Sequence, residues 1–195
     1  MNQQELPLKL ADFHTAHLPC EIACDSYSRK VLVSAVSRDV VVLRRVGYEP
    51  PELTGWWVIR PIDITDVRPI VDGGMLRDAL EVPGTKLPTK LPFRASSMTD
   101  VAQRVCHFFP IVIFKYTNEK EDDAAAGKIL SIDDGIMCVR EISTDYQWLP
   151  EPLRVKIEDV RWFFFGNEYE QLLELKGSVE DLKAMLAAIR KGFGV

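Results

Sequence analysis

Residues 64–82, ITDVRPIVDGGMLRDALEV, lie without a gap over residues 157–175, IEDVRWFFFGNEYEQLLEL. Seven of these nineteen positions are identical: Ile64/Ile157, Asp66/Asp159, Val67/Val160, Arg68/Arg161, Gly73/Gly166, Leu80/Leu173 and Glu81/Glu174. The flanks stay collinear. KVLVSAVSRDVVVLRRV (30–46) lies over KILSIDDGIMCVREI (128–142) with a turn two residues shorter, and PCEI (19–22) lies over PIVI (110–113). An amphipathic stretch precedes the proline in both halves, LADFHTAHLP (10–19) and VAQRVCHFFP (101–110). Such self-similarity means that each half repeats one supersecondary unit. It predicts a first unit with its N-terminal lead over 1–82, a linker over 83–97, and a second unit over 98–195.

Local patterns make these units β-rich. VLVSAV and DVVVLRRV carry β-branched residues on both sides of the Ser37-Arg38-Asp39 turn. ILSI and IMCVREI flank Asp133-Asp134-Gly135, where Asp-Gly supplies the positive φ that a tight hairpin requires. Pro61 in WWVIRPIDI removes a ladder donor, so that strand bends, ends or lies at an edge. Pro83, Pro88, Pro92 and Gly84 interrupt regular structure in the linker. Ser97 then caps a helix running to about Phe108. A second helix is predicted near the C-terminus. Ser178 is its cap, Val179, Leu182, Met185, Leu186 and Ile189 lie on one face, and Gly192 is its stop.

A unit of five short strands with a long central loop resembles a small SH3-type or Sm-like β-barrel. GKILSIDDGIMCVREI (127–142) is similar to the first Sm motif, and VKIEDVRWFFF (155–165) resembles the second. The resemblance implies a mainly β, α+β chain: two tandem SH3/Sm-like barrels packed together, with a helix before the second unit and another at the C-terminus. The base-reading residues of the Sm family are absent. Cys138 follows Met137 where that family has asparagine, and Glu158-Asp159 and Thr65-Asp66 stand where it has Arg-Gly.

Charge narrows the function further. Lys+Arg number 24 against Asp+Glu 29, a formal net charge of −5. Binding nucleic acid through bulk charge needs a basic surplus, so a nucleic-acid partner is not expected. No apolar run approaches the roughly 18 residues of a membrane span, and the N-terminus lacks the pattern of a secretory signal. Four cysteines do not make the dense framework of a secreted mini-domain. A cytoplasmic chain with reduced thiols and no membrane contact is the expectation.

Candidate chemistry is sparse. His14, His17, Cys20 and Cys24 are zinc-compatible residue types, but their spacing fits no common finger and Pro19 interrupts it. Cys20, Ile22 and Cys24 would share one strand face, as a core does. Cys106-His107 are neighbours that a helix should point different ways, with no orienting third group. EKEDD (119–123) reads as a solvated acidic loop. No catalytic set, metal site or cofactor is expected. Asp66/Arg68 and Asp159/Arg161, two apart on a strand, could each pair locally.

The aromatic residues carry more information. Trp162-Phe163-Phe164-Phe165 and Trp56-Trp57 place rings on both faces of a strand, so the second face must meet the other unit or a partner. Tyr48 beside Pro50-Pro51, and Tyr146 and Trp148 before Pro150, are candidate interaction tips. The sequence therefore predicts a non-enzymatic binding protein. A protein partner or homodimer would be held by Tyr48, Trp56, Tyr146, Trp148, Arg68 and Arg161. Two alternatives stay open: an Sm-like nucleic-acid-associated protein using Lys86, Lys90 and Arg94, and an immunity or inhibitor protein.

Overall fold

The computed structural model describes residues 5–24, 27–47, 53–71, 91–118, 121–143, 145 and 147–166. The first half runs α1 (Leu6–Ala16), β1 (Cys20–Cys24), β2 (Tyr27–Val36), β3 (Val41–Val46), β4 (Leu53–Ile59), a 3-10 turn (Pro61–Asp63) and β5 (Asp66–Pro69). The second half runs α2 (Met98–Phe108), β6 (Val112–Asn118), β7 (Glu121–Asp133), β8 (Ile136–Glu141), β9 (Leu153–Lys156), a 3-10 turn (Ile157–Asp159) and β10 (Val160–Phe165). The order of element types is the same in both. No described helix is long and apolar enough to cross a membrane.

Every ladder is antiparallel, and the strands form one sheet in the order β5-β1-β2-β3-β4-β10-β6-β7-β8-β9. Each half thus repeats the order fifth-first-second-third-fourth. Among the described residues neither half closes on itself by pairing its fourth strand with its fifth. Instead β4 pairs with β10, in the register Trp162↔Ile59, Phe163↔Val58, Phe164↔Trp57 and Phe165↔Trp56.

Local chemistry explains the corners. Asp134 (φ 50°) and Gly135 (φ 76°) form a two-residue hairpin loop with positive φ at both positions. Ser37 holds the other hairpin through its side chain, donating to the Val40 carbonyl and accepting from the Val40 amide. The long strands β2 and β7 each carry a register shift, between Val33 and Ala35 and between Ile129 and Ser131. Such bulges bend a strand and increase its twist. Gly127 is required by close approach: a Cβ there would lie 2.3 Å from the Arg140 carbonyl oxygen. Strand β4 ends at Ile59, and Pro61 opens the 3-10 turn. Ser97 caps α2 by accepting from the Asp100 amide at 3.1 Å.

Two large apolar clusters, with a small third at Ile111 and Ile142, make up the core among the described residues. One gathers Leu6 and Leu10 of α1 with Cys20, Ile22, Val31, Val33, Trp57 and Ile59. The other gathers Val101 and Val105 of α2 with Phe114, Met137, Val139, Phe163 and Phe165, together with Val42, Trp56 and Val58 from the first half. Strands β4 and β10 therefore supply side chains to both clusters, which explains their two-sided aromatic composition.

Two expectations are corrected here. Glu121–Asp123 do not form a loop but extend β7, where Asp122 and Asp123 stay exposed. There Asp122 meets Lys115 at 3.0 Å and also Arg161, and the Tyr116 hydroxyl donates to Asp123. Cys106 and His107 do meet, Sγ to Nδ1 at 3.3 Å, because both side chains turn back toward the Gln103 carbonyl. The C-terminal helix expected from Ser178 lies outside the described residues.

Candidate binding cleft at the strand junction

Adjacent residues on a strand face opposite ways, so β10 divides its rings between the two clusters. Phe163 and Phe165 enter the second-half core, while Trp162 and Phe164 pack half-buried against the first-half core. Trp162 meets Trp57 edge-on, with centroids 6.4 Å apart and planes at 85°. Beside these rings lies a cleft of about 300 Å³, lined by Arg29, Arg45, Trp57, Ile113, Trp162 and Phe164. Its walls come from β2, β3 and β4 of the first half and from β6 and β10 of the second.

The polar part of the cleft has one sign. The Arg45 guanidinium lies 5.8 Å from the Phe164 ring centroid. Partial burial, reinforced by the nearby Arg29 charge, holds its pKa below the ordinary arginine value. Among the described residues no carboxylate forms an ion pair with Arg45. The Arg45 guanidinium beside three aromatic rings gives the cleft a lining suited to an anion with a flat apolar body.

A larger cavity, about 640 Å³, lies where β4 ends, between the first residues of α1 and α2. Its charges balance, with Arg38 and Arg60 against Asp39 and Glu158, and Arg60 already donates to the Ile157 carbonyl at 2.8 Å. It therefore lacks the one-sided charge of the junction cleft.

Of the residues proposed from sequence, Tyr48 and Tyr146 lie outside the described residues. Trp56 is no surface tip: it is 2% exposed in the core, with the Arg44 guanidinium 4.3 Å from its ring centroid. Arg44 is itself buried. Desolvation brings its pKa down to about 10, and one of its nitrogens donates to the Leu53 carbonyl. Trp148 folds back rather than projecting. It bridges to Ile142, packs on the Ile111–Ile142 cluster and lies under Arg140.

Arg68 is exposed and pairs with Asp66, as its spacing suggested. Arg161 does not pair with Asp159. It spans the two halves, donating to Asp63 at 2.9 Å and to Asp122 of β7. Cys20 and Cys24 are buried on one strand face with Ile22, and burial pushes the Cys20 thiol up to about 12. His14 contacts the Val33 carbonyl at 3.0 Å. No group of three or more His, Cys, Asp or Glu side chains converges as a metal site among the described residues.

Sequence reading missed Arg29 and Arg45. The usable signal was Arg44-Arg45 on one strand, since neighbouring residues must face opposite sides. One arginine enters the aromatic core and the other the cleft.

No protein-family model matches the chain, and no curated protein matches it. Among solved structures, the crystal structure of YcgR in complex with c-di-GMP from Escherichia coli covers 98% of this chain and 95% of that one. The identity is 13% and the TM-score 0.20, too low to transfer either fold or ligand.

Proposed function

We propose that this chain is a non-enzymatic binding protein made of two related SH3/Sm-like units, fused so that their shared strands form a cleft for a small aromatic anion. The common element order and the repeated strand order of the halves support the duplication. The observation that carries the binding reading is the junction cleft, where Arg29 and Arg45 stand beside Trp57, Trp162 and Phe164. These side chains bind well and react poorly. None is a nucleophile or a customary general acid or base.

An anionic aromatic dye, anilinonaphthalene sulfonate, tests this reading. Titration of the native protein should give saturable one-site binding with energy transfer from Trp57 and Trp162. Arg45→Glu should weaken it by about ten-fold or more, roughly 1.4 kcal/mol, while the circular dichroism spectrum stays unchanged. Unsaturable binding, or binding indifferent to Arg45→Glu, refutes the cleft as the site.

A further inference from the structure

On the premise that the junction cleft is a binding site, its construction narrows the class of its ligand. A bulge shapes one wall. Arg44 pairs with Trp56 and Arg45 with Thr54, so Gly55 is the extra residue on β4. Gly55 has φ 48°, and a Cβ there would lie 2.9 Å from the Phe164 ring. Its missing side chain lets that ring pack against the β4 backbone. Leu43 lies directly opposite Trp57, and Arg45 is two residues from Leu43 on the same face of β3. Arg45 therefore emerges on the side of Trp57, with its guanidinium 5.8 Å from the Phe164 centroid.

The charge this lining offers is single. Arg45 forms no ion pair among the described residues, and the charge that acts on it is the like charge of Arg29. Arg29 is already engaged, its guanidinium donating to the Ser28 carbonyl at 2.9 Å. An arginine fork matches a carboxylate with two parallel hydrogen bonds. A dianion would bring a second charge to a wall of apolar rings, and an uncharged ring would leave Arg45 unmatched. At about 300 Å³ the cleft stands at the lower end of small-molecule pockets, room for one compact ligand rather than an extended chain. Trp57 and Trp162 meet edge-on, so the rings offer both edges and faces to a planar group.

We infer that the junction cleft takes a small aromatic monocarboxylate, the ring against Trp162 and Phe164 and the carboxylate on Arg45.

Competition against the bound dye tests this with naphthoate, its neutral isostere naphthamide, acetate and naphthyl phosphate. Naphthoate should displace the dye saturably, and naphthamide and acetate should each be weaker by about ten-fold or more. Naphthyl phosphate should compete no better than naphthoate, and a clear advantage for it overturns the single-charge assignment. Arg45→Gln should bring naphthoate down to the level of naphthamide while naphthamide itself is unchanged, which separates a lost charge from a lost fold. Arg45→Lys, which keeps the charge, should retain a preference for naphthoate, as should Arg29→Gln. A preference that survives Arg45→Gln, or that disappears in Arg29→Gln, overturns the placement of the carboxylate. If the dye binds but naphthoate displaces it no better than naphthamide, the ligand class is wrong and the cleft remains a binding site. If the dye does not bind, both readings fall.

Discussion

Replacing Phe163 by alanine should loosen a cysteine in the other half of the chain. Phe163 is fully buried on β10, with its ring 6.1 Å from that of Phe114 and its backbone opposite Val58 of β4. Truncating such a phenylalanine costs about 3–5 kcal/mol, through lost transfer energy and the cavity left behind. Cys20 belongs to the separate apolar cluster of the first half, is 0% exposed, and has its thiol pKa raised to about 12. Its reaction with a thiol reagent therefore requires opening of the structure.

If β4·β10 makes the halves one cooperative unit, about 4 kcal/mol lost at Phe163 raises the open population roughly a thousand-fold. Cys20 labelling under native conditions should accelerate by a similar factor. Peptide mapping by mass spectrometry assigns the label, and exposed Cys106 serves as a control whose rate should not change. An unchanged Cys20 rate in a variant with a lowered urea midpoint would refute the shared core, because the halves would then open independently.

Three further perturbations test local claims. Gly127→Ala places a methyl against the Arg140 carbonyl, which is backbone and cannot swing away; a loss of about 3 kcal/mol in urea unfolding is expected, and a neutral result would contradict the close β7·β8 approach. Ser97→Ala should cost about 1 kcal/mol by removing the α2 cap, and Ser97→Gly should cost only a few tenths. Asp122 has its carboxyl held below the usual aspartate range by the Lys115 hydrogen bond first, with Thr117 and Arg161 adding to it. A depressed carboxylate contributes stability that is complete above its unfolded pKa and is lost as pH falls through its folded one. Asp122→Asn should thus cost up to about 1 kcal/mol at pH 7, discounted for its partial exposure. The gap to the parent should close on acidification, and a gap independent of pH would argue against the ion pair.

Much of the fold was legible because it rests on local rules. Asp134-Gly135 specified a hairpin loop and Ser97 a helix start, while Pro61 left a bend, an end or an edge open, of which the structure takes the end. The two-sided aromatics of Trp56-Trp57 and residues 162–165 correctly demanded a second buried surface, which the opposing apolar cluster provides. Pairing across the chain was less legible. Arg161 matches Arg68 in sequence but reaches Asp63 and Asp122, because β10 is an interior strand whereas β5 ends the sheet. The site was least legible, since its arginines and rings come from strands distant in sequence. Only the register of β2, β3, β4 and β10 brings them together. Trp148 looked like an exposed tip beside a proline but found apolar cover on Ile111 and Ile142.

The central claim is that β4 and β10 are interior neighbours in one continuous sheet. Native-state amide hydrogen exchange at residues 56–59 and 162–165 tests it most directly. Those amides that donate across the junction should fall in the slowest-exchanging class, together with the β2·β3 amides and slower than the terminal strands β5 and β9. Exchange at the junction as fast as in β5 and β9 would mean that the strands are not paired in solution, and the cleft built on them would not exist.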